Sequence, residues 1–328
     1  MDKIIGLGNA LVDILVKMED ESLLNELNLP KGSMQLITED TYRLIGEKFE
    51  SLKTRRSTGG AAGNTIGALA KLGAEPGFIG KVGDDEPGTY YERTMKRDGV
   101  DVHLLQGELP TGVASTFVSV DGERTFATHL GSAATLRAED LTRDLFEGYT
   151  YLFIEGYLLQ GHDLILRAMQ LAKEVGLQIC LDMASYNIVS AERDFFDKLI
   201  TQYVDIVFAN ESETEAFTGK SACEGLNDIA SKCSIAVVKA RKEGSYIKKG
   251  TECIQVPAPP VKKVVDTTGA GDYYAAGFMY GLTCGYSLEK CAQISTILAG
   301  AVIQVLGTEL TKKKWEEIKL NIAEVLQG

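Results

Sequence analysis

The sequence has no excess of positive charge. Its 328 residues carry a formal net charge of -12. That excludes a generally basic surface for nucleic acid and leaves at most a local patch for that purpose. It also lacks a long apolar run. The start, MDKIIGLGNALVDILV, has one early lysine, no convincing cleavage site, and interruptions at Asn9 and Asp13. It reads as a buried strand rather than a signal peptide. No uninterrupted apolar segment reaches membrane-spanning length. Paired cysteines are missing too. Cys180, Cys223, Cys233, Cys253, Cys284 and Cys291 are scattered with no CxxC, the pattern of reduced thiols in a cytoplasmic protein. His103, His129 and His162 have no recognisable metal-site spacing. Two phosphate-binding patterns are incomplete. The GKS at 219–221 has Thr214 where a P-loop needs glycine, and GLGNAL at 6–11 has Leu11 where a dinucleotide fingerprint needs its last glycine. With no long linker, repeat or low-complexity tract, residues 1–328 read as one domain.

What is present is alternation. The short apolar runs IIGL, GFIGKVG, YLFIE, QICLD, DIVFAN and IAVVK are separated by helical patterns such as HDLILRAMQLAKEVG. That order indicates an α/β fold with a mainly parallel sheet covered on both faces. Residues 39–53 place Tyr42, Ile45, Phe49 and Leu52 at helical steps, and GNTIGALAKLG forms a small-residue helix ending at Gly73. Trp315, Ile318, Ile322 and Val325 share one face of a last helix. Two stretches, 14–38 and 111–130, break the rhythm. The second carries Asp121-Gly122, a two-residue hairpin signal. These stretches suit either an edge of the main sheet or a small β lid over a cleft.

Near the C-terminal end the chain reads VVDTTGAGDYYAAGFMYGL. A strand-like KKVV leads into DTTGAGD, and a helix begins near Ala270. The first amides of a helix have no intrahelical partner and can hold an anion. Asp272 beside them can accept a proton from an attacking hydroxyl. The same residues also suit an aspartate that caps its own helix.

These residues resemble the ribokinase-like, or PfkB, family of carbohydrate and nucleoside kinases. DTTGAGD at 266–272 matches DTxGAGD, and GGAAGNTIGALAKLG followed by GFIGKVGDDEPG matches a second signature. The resemblance covers nearly the whole chain. It implies a three-layer α/β sandwich with a mainly parallel central sheet and a small β lid made of 14–38 and 111–130. It also implies Asp272 as catalytic base, the amides of Gly269, Ala270 and Gly271 as an anion hole, and Arg124 as a lid arginine reaching the transferred phosphate. On the acceptor side, Asp13 resembles the sugar-diol aspartate and Asn9 its polar neighbour, while Gly59, Gly60 and Asn64 match GGxxxN. On the nucleotide side, Asn210 and Glu213 match NxxE, with Glu213 holding Mg²⁺ through water. The nucleotide segment VVKARKEGSYI departs from TxGxxG. Gly244 keeps the last glycine, but Lys239 and Arg241 replace the threonine and the first glycine. Gly307 falls in the loop expected to close on the nucleotide base. The resemblance implies ATP and Mg²⁺ as cofactors, with Asp266 and Thr268 as candidates for a potassium site.

LPKGSMQLITED and GNALVD resemble the adenosine-kinase branch more than a generic ribokinase. That resemblance points to the 5′ hydroxyl of a nucleoside such as adenosine. A free sugar such as ribose or fructose is the alternative, and an inactive carbohydrate-binding relative is a further one. The expected partner is a small molecule, not nucleic acid or membrane, with the protein a monomer or a lid-mediated homodimer.

Overall fold

The computed structural model describes residues 1–327. The strands are β1 (Ile4–Leu7), β2 (Leu11–Lys17), β3 (Met34–Leu36), β4 (Thr54–Gly59), β5 (Gly77–Gly83), β6 (Asp101–Gly107), β7 (Gly112–Val118), β8 (Arg124–His129), β9 (Tyr151–Glu155), β10 (Gln178–Asp182), β11 (Ile206–Asn210), β12 (Ile235–Lys239), β13 (Ser245–Lys249) and β14 (Glu252–Val256). The helices are α1 (Ser22–Glu26), α2 (Glu39–Phe49), α3 (Ala61–Leu72), α4 (Glu86–Arg97), α5 (His162–Glu174), α6 (Tyr186–Ala191), α7 (Arg193–Gln202), α8 (Glu211–Thr218), α9 (Ala222–Ala230), α10 (Ala270–Thr283), α11 (Leu288–Val302) and α12 (Lys312–Gln327).

Nine strands form the central sheet in the order β14-β13-β12-β11-β10-β9-β1-β5-β6. It is parallel except at one edge, where β13 runs the other way between β12 and β14. Alternation along the strands sends side chains to two separate cores. Phe78, Phe153, Phe208 and Val237 join the core under α3, α10 and α11. Ile79, Ile154, Leu181 and Val207 join the other, under α5 and α7. The chain is therefore an α/β three-layer sandwich. β1 pairs with both β5 and β9. The order of connection reverses there, which opens a crevice beyond the carboxyl ends of the strands.

A second sheet, β3-β8-β7-β2-β4, is mixed and stands apart. Val16, Phe117 and Ala127 bury one of its faces against α1 and α2. The other face carries cross-strand rungs. One runs Leu36, Thr128, Ala114, Asp13, Ser57, and the next runs Met34, Phe126, Thr116, Leu15, Arg55.

Two details differ from expectation. The segment 262–265 is not a strand. Val264 and Val265 are exposed, and Val265 spends its amide on the Ile303 carbonyl at 2.8 Å, so the segment runs past α11 as a connector. The Asp121-Gly122 loop is longer than two residues. Gly122 donates to Ser119 and Ser119 to Glu123, and Gly122 alone has a positive φ there, as in a three-residue loop with a bulge. TRRSTG, which has no apolar residue, forms β4 because β2 supplies its partner. Among the described residues all six cysteines are free, and no helix is long and apolar enough to cross a membrane.

α10 and α11 pack with their backbones almost touching. A Cβ on Gly277 would lie 2.6 Å from the Ser295 Cα. Gly277→Ala should therefore destabilise the protein by about 1–3 kcal/mol. Urea unfolding would show this, and an unchanged midpoint would contradict the packing.

Candidate active site

The site is built at the carboxyl ends of neighbouring strands. β9 ends in Glu155, β10 in Asp182, β11 in Asn210 and β12 in Lys239. The DTTGAGD turn supplies Asp272 in the first turn of α10. Gly269 caps that helix at φ 75, a left-handed conformation that costs glycine little. The amides of Gly271 and Asp272 have no hydrogen-bond partner among the described residues, whereas Ala270 spends its own on the Thr267 carbonyl at 3.2 Å. Within GAG the amides of Gly269 and Gly271 are thus free and that of Ala270 is spent, and Asp272 adds a further free donor.

Asp272 accepts a hydrogen bond from the Asn64 side chain at 2.8 Å. Its carboxyl is pushed up to about 7, first by burial and then by the charges of Asp182 and Glu155, with Asn64 and Lys239 opposing. Asn64 was expected on a sugar hydroxyl, and here its amide holds the neighbouring carboxylate. Asn9 is also engaged inside the protein. Its backbone and side-chain nitrogens both donate to Glu155, at 2.9 and 2.6 Å. The second Glu155 oxygen takes the Ala62 amide at 2.8 Å. Glu155 thereby clamps the turn after β1 to the start of α3, and burial raises its carboxyl above the usual range.

Asp13 faces the crevice from the second sheet. A Cβ on Gly59 would fall 2.2 Å from its Oδ1, so glycine is what lets the carboxylate lie on that backbone. Gly60 opens α3 beside it. Asp13 accepts no hydrogen bond among the described residues, and burial pushes its carboxyl up to about 7.

Arg124, on the same face as Asp13, reaches from the second sheet to the DTTGAGD turn. Its Nη1 donates to Asp266 Oδ1 and Thr268 Oγ1, and its guanidinium lies over the Phe126 ring at 5.5 Å. Asp266 also takes the Thr268 amide at 2.7 Å and the Gly307 amide at 2.8 Å. The residues considered for potassium therefore hold the arginine, and Gly307 is bound to the same aspartate.

Asn210 and Glu213 cap α8 reciprocally. Glu213 donates its amide to Asn210 Oδ1 at 2.9 Å, and Asn210 donates its amide and side chain to Glu213 at 2.8 and 2.5 Å. Burial pushes the Glu213 carboxyl up. Gly244, at φ 92, lets the turn after β12 lie against the Val256 carbonyl. Lys239 donates to Asp182 Oδ2 at 2.8 Å.

The structure thus brings Asp272, Asn64, Lys239, Asp266, Thr268, Arg124 and Gly307 around the turn. Asp13, Gly59 and Gly60 sit opposite. It leaves Gly244 in a supporting role. Sequence reasoning missed Glu155, Asp182 and Tyr157. The first two close the apolar runs YLFIE and QICLD, where a strand's carboxyl end marks the crevice. Tyr157 follows β9 and is half-exposed. Its phenol is held up by burial and by the charges of Asp272, Glu155, Asp182 and Glu213.

Residues 33–315 match the family described as pfkB family carbohydrate kinase. The chain belongs to that family. A structure of a probable sugar kinase from Rhizobium etli CFN 42 is 32% identical, covers 99% of each chain and has a TM-score of 0.87. One of adenosine kinase from Sinorhizobium meliloti is 34% identical, covers 97% of this chain and 99% of that one, with a TM-score of 0.86. The 2-dehydro-3-deoxygluconokinase of Bacillus subtilis (strain 168) is 29% identical over 76% of this chain and 81% of its own. This pfkB member is therefore a phosphotransferase, an ATP-dependent kinase of a small sugar or nucleoside. The relatives divide between sugar kinases and adenosine kinases, so the comparisons give the acceptor as a small sugar or a nucleoside.

The buried carboxyls give a direct check. A ¹³C titration of Asp272 should show a midpoint near 7, and Asn64→Ala should move it higher, because the lost donor stabilised the ionised form. A midpoint in the ordinary aspartate range would contradict the site. For Asp13 the folded value exceeds the unfolded one, so stability falls as pH rises from about 4 to about 7. Asp13→Asn should accordingly raise the melting temperature more at about pH 8 than at about pH 4. An equal gain at both would contradict the burial cost.

Proposed function

We propose that the chain transfers the terminal phosphoryl group of ATP to the primary hydroxyl of a nucleoside. The acceptor oxygen attacks phosphorus, the bond to the bridging oxygen of ADP breaks, and the acceptor proton passes to Asp272. The free amides of Gly271 and Asp272 stabilise charge on the transferring group. Asp13 takes the adjacent ring hydroxyls, for which a carboxyl group without an internal partner is suited. Gly59 and Gly60 admit the sugar close to the backbone.

The observation that carries the nucleoside reading is the open face of the second sheet. Leu15, Phe126, Met34 and Leu36 stand beside Asp13 on one face, and Met34 and Leu36 are exposed. An apolar wall beside a diol-binding carboxylate suits a base attached to a ribose. Tyr157 adds an aromatic surface across the crevice. A second reading, a free sugar, is supported by the sugar kinases among the relatives.

The acidic donor set fits a hydrated Mg²⁺. Glu213 retains lone pairs beyond its capping bonds, and Asn210 lies with it. When bound, Mg²⁺ would neutralise phosphate charge. Arg124 would leave Asp266 for the transferring phosphate as the second sheet closes on the acceptor.

ATP consumption with adenosine, inosine, guanosine, ribose, fructose and 2-keto-3-deoxygluconate separates the readings. The nucleoside reading expects turnover with a nucleoside and little with free sugars, and preference for a free sugar would overturn it. With the accepted substrate, Asp272→Asn should keep both ligands and lose about 10²–10⁴ in kcat. Asp13→Ala should weaken acceptor binding in calorimetry while leaving ATP binding alone. Unchanged acceptor affinity and turnover in that variant would remove Asp13 from the site.

A further inference from the structure

Lys239 stands where the family pattern has threonine, and its ammonium does more than neutralise one carboxylate. Its side chain is 15% exposed, and Asp182 is its one hydrogen-bond partner among the described residues. An ammonium has three N–H donors, so two are left over in a largely dry setting. Their direction is set by the DTTGAGD turn. A Cβ on Gly271 would lie 3.2 Å from the Lys239 Nζ, so the ammonium rests against the backbone of the residue whose amide is free. Asp182 is itself held. Its other oxygen takes the Ala184 amide at 2.9 Å, and Ala184 has a left-handed φ of 63. A non-glycine residue in that conformation is costly, which marks the turn as constrained by its surroundings. Burial alone would discharge the lysine, but the charges of Asp182 and Glu213 and the bond to Asp182 outweigh it and keep the group above the ordinary lysine value. The ammonium is therefore a fixed positive charge with spare donors.

We propose that Lys239 is a phosphoryl-binding group: its two remaining donors take oxygens of the terminal phosphate seated on the Gly271 and Asp272 amides, while Asp182 holds it in place. This rests on the kinase reading above. It adds a preference that a threonine hydroxyl would not give. The group distinguishes a triphosphate from a diphosphate, because it faces the transferred group and carries full charge. Lys239 forms no bond to phosphorus and gives up no proton.

Calorimetry with Mg²⁺ and AMP-PNP, compared with ADP, tests this without any acceptor. Lys239→Met should lose roughly tenfold or more in AMP-PNP affinity and change ADP affinity by less than about threefold. Its kcat with the accepted substrate should fall about 10²-fold. Lys239→Arg, which keeps the charge, should recover most of the AMP-PNP preference. A folded Lys239→Met protein with an unchanged ratio of AMP-PNP to ADP affinity would overturn the assignment. If that variant fails to fold, Lys239→Gln decides. It keeps a donor for Asp182 but removes the charge, so it should lose the preference, and an unchanged ratio of AMP-PNP to ADP affinity would overturn the assignment. A wild-type protein that prefers AMP-PNP but phosphorylates no acceptor would count against the kinase reading and for the lysine assignment.

Discussion

Everything around the crevice answers to one constraint, the crowding of buried carboxylates at the ends of parallel strands. Glu155, Asp182 and Glu213 belong to successive connections of one sheet, and Asp272 joins them from α10. Burial raises Glu155, Glu213 and Asp272 together, and like charges add to it. The protein answers with donors. Asn9 and Ala62 serve Glu155, Asn210 serves Glu213, Asn64 serves Asp272, and Lys239 serves Asp182. A site left this negative is poised for a ligand that brings a cation with it, and for a carboxylate whose proton affinity lies near neutrality.

The second sheet is tied to that crevice by packing of Val12 and Val113 into the main core and by one charge contact. Its buried face belongs to α1 and α2, while its open face reaches the turn through Arg124 on Asp266. Asp266 in turn fixes Thr268 and Gly307. One buried carboxylate thus gathers Arg124, the DTTGAGD turn and the loop after α11. Such a link can be exchanged for another anion without opening a hydrophobic core, which a movable cover requires.

Much of this was legible in the chain. The central strands announced themselves as short apolar runs because both sheet faces are buried, and the GAGD turn declared a helix start with free amides. What failed was local reading of segments whose fate depends on a distant partner. TRRSTG has no apolar signal and is a strand only because β2 lies beside it, while KKVV has the signal and finds no neighbour. Site residues divide in the same way. Asp272 lies in the first turn of α10, and Asp13 lies on the open face of the second sheet. Asn9 and Asn64, read as contacts to a sugar, are bonded to Glu155 and Asp272, residues 146 and 208 positions away. Glu155 and Asp182 stood in plain sight at strand ends, yet only the parallel register puts them side by side.

The central claim is that the turn at 269–272 and the open face of the second sheet hold the two halves of one phosphoryl transfer. A crystal structure with AMP-PNP, Mg²⁺ and the accepted substrate tests it most directly. The account predicts the terminal phosphate on the amides of Gly271 and Asp272, with the acceptor's primary hydroxyl within hydrogen-bond distance of the Asp272 carboxylate and its diol on Asp13. A terminal phosphate bound away from that turn, or an acceptor whose hydroxyl lies out of reach of Asp272, would contradict it.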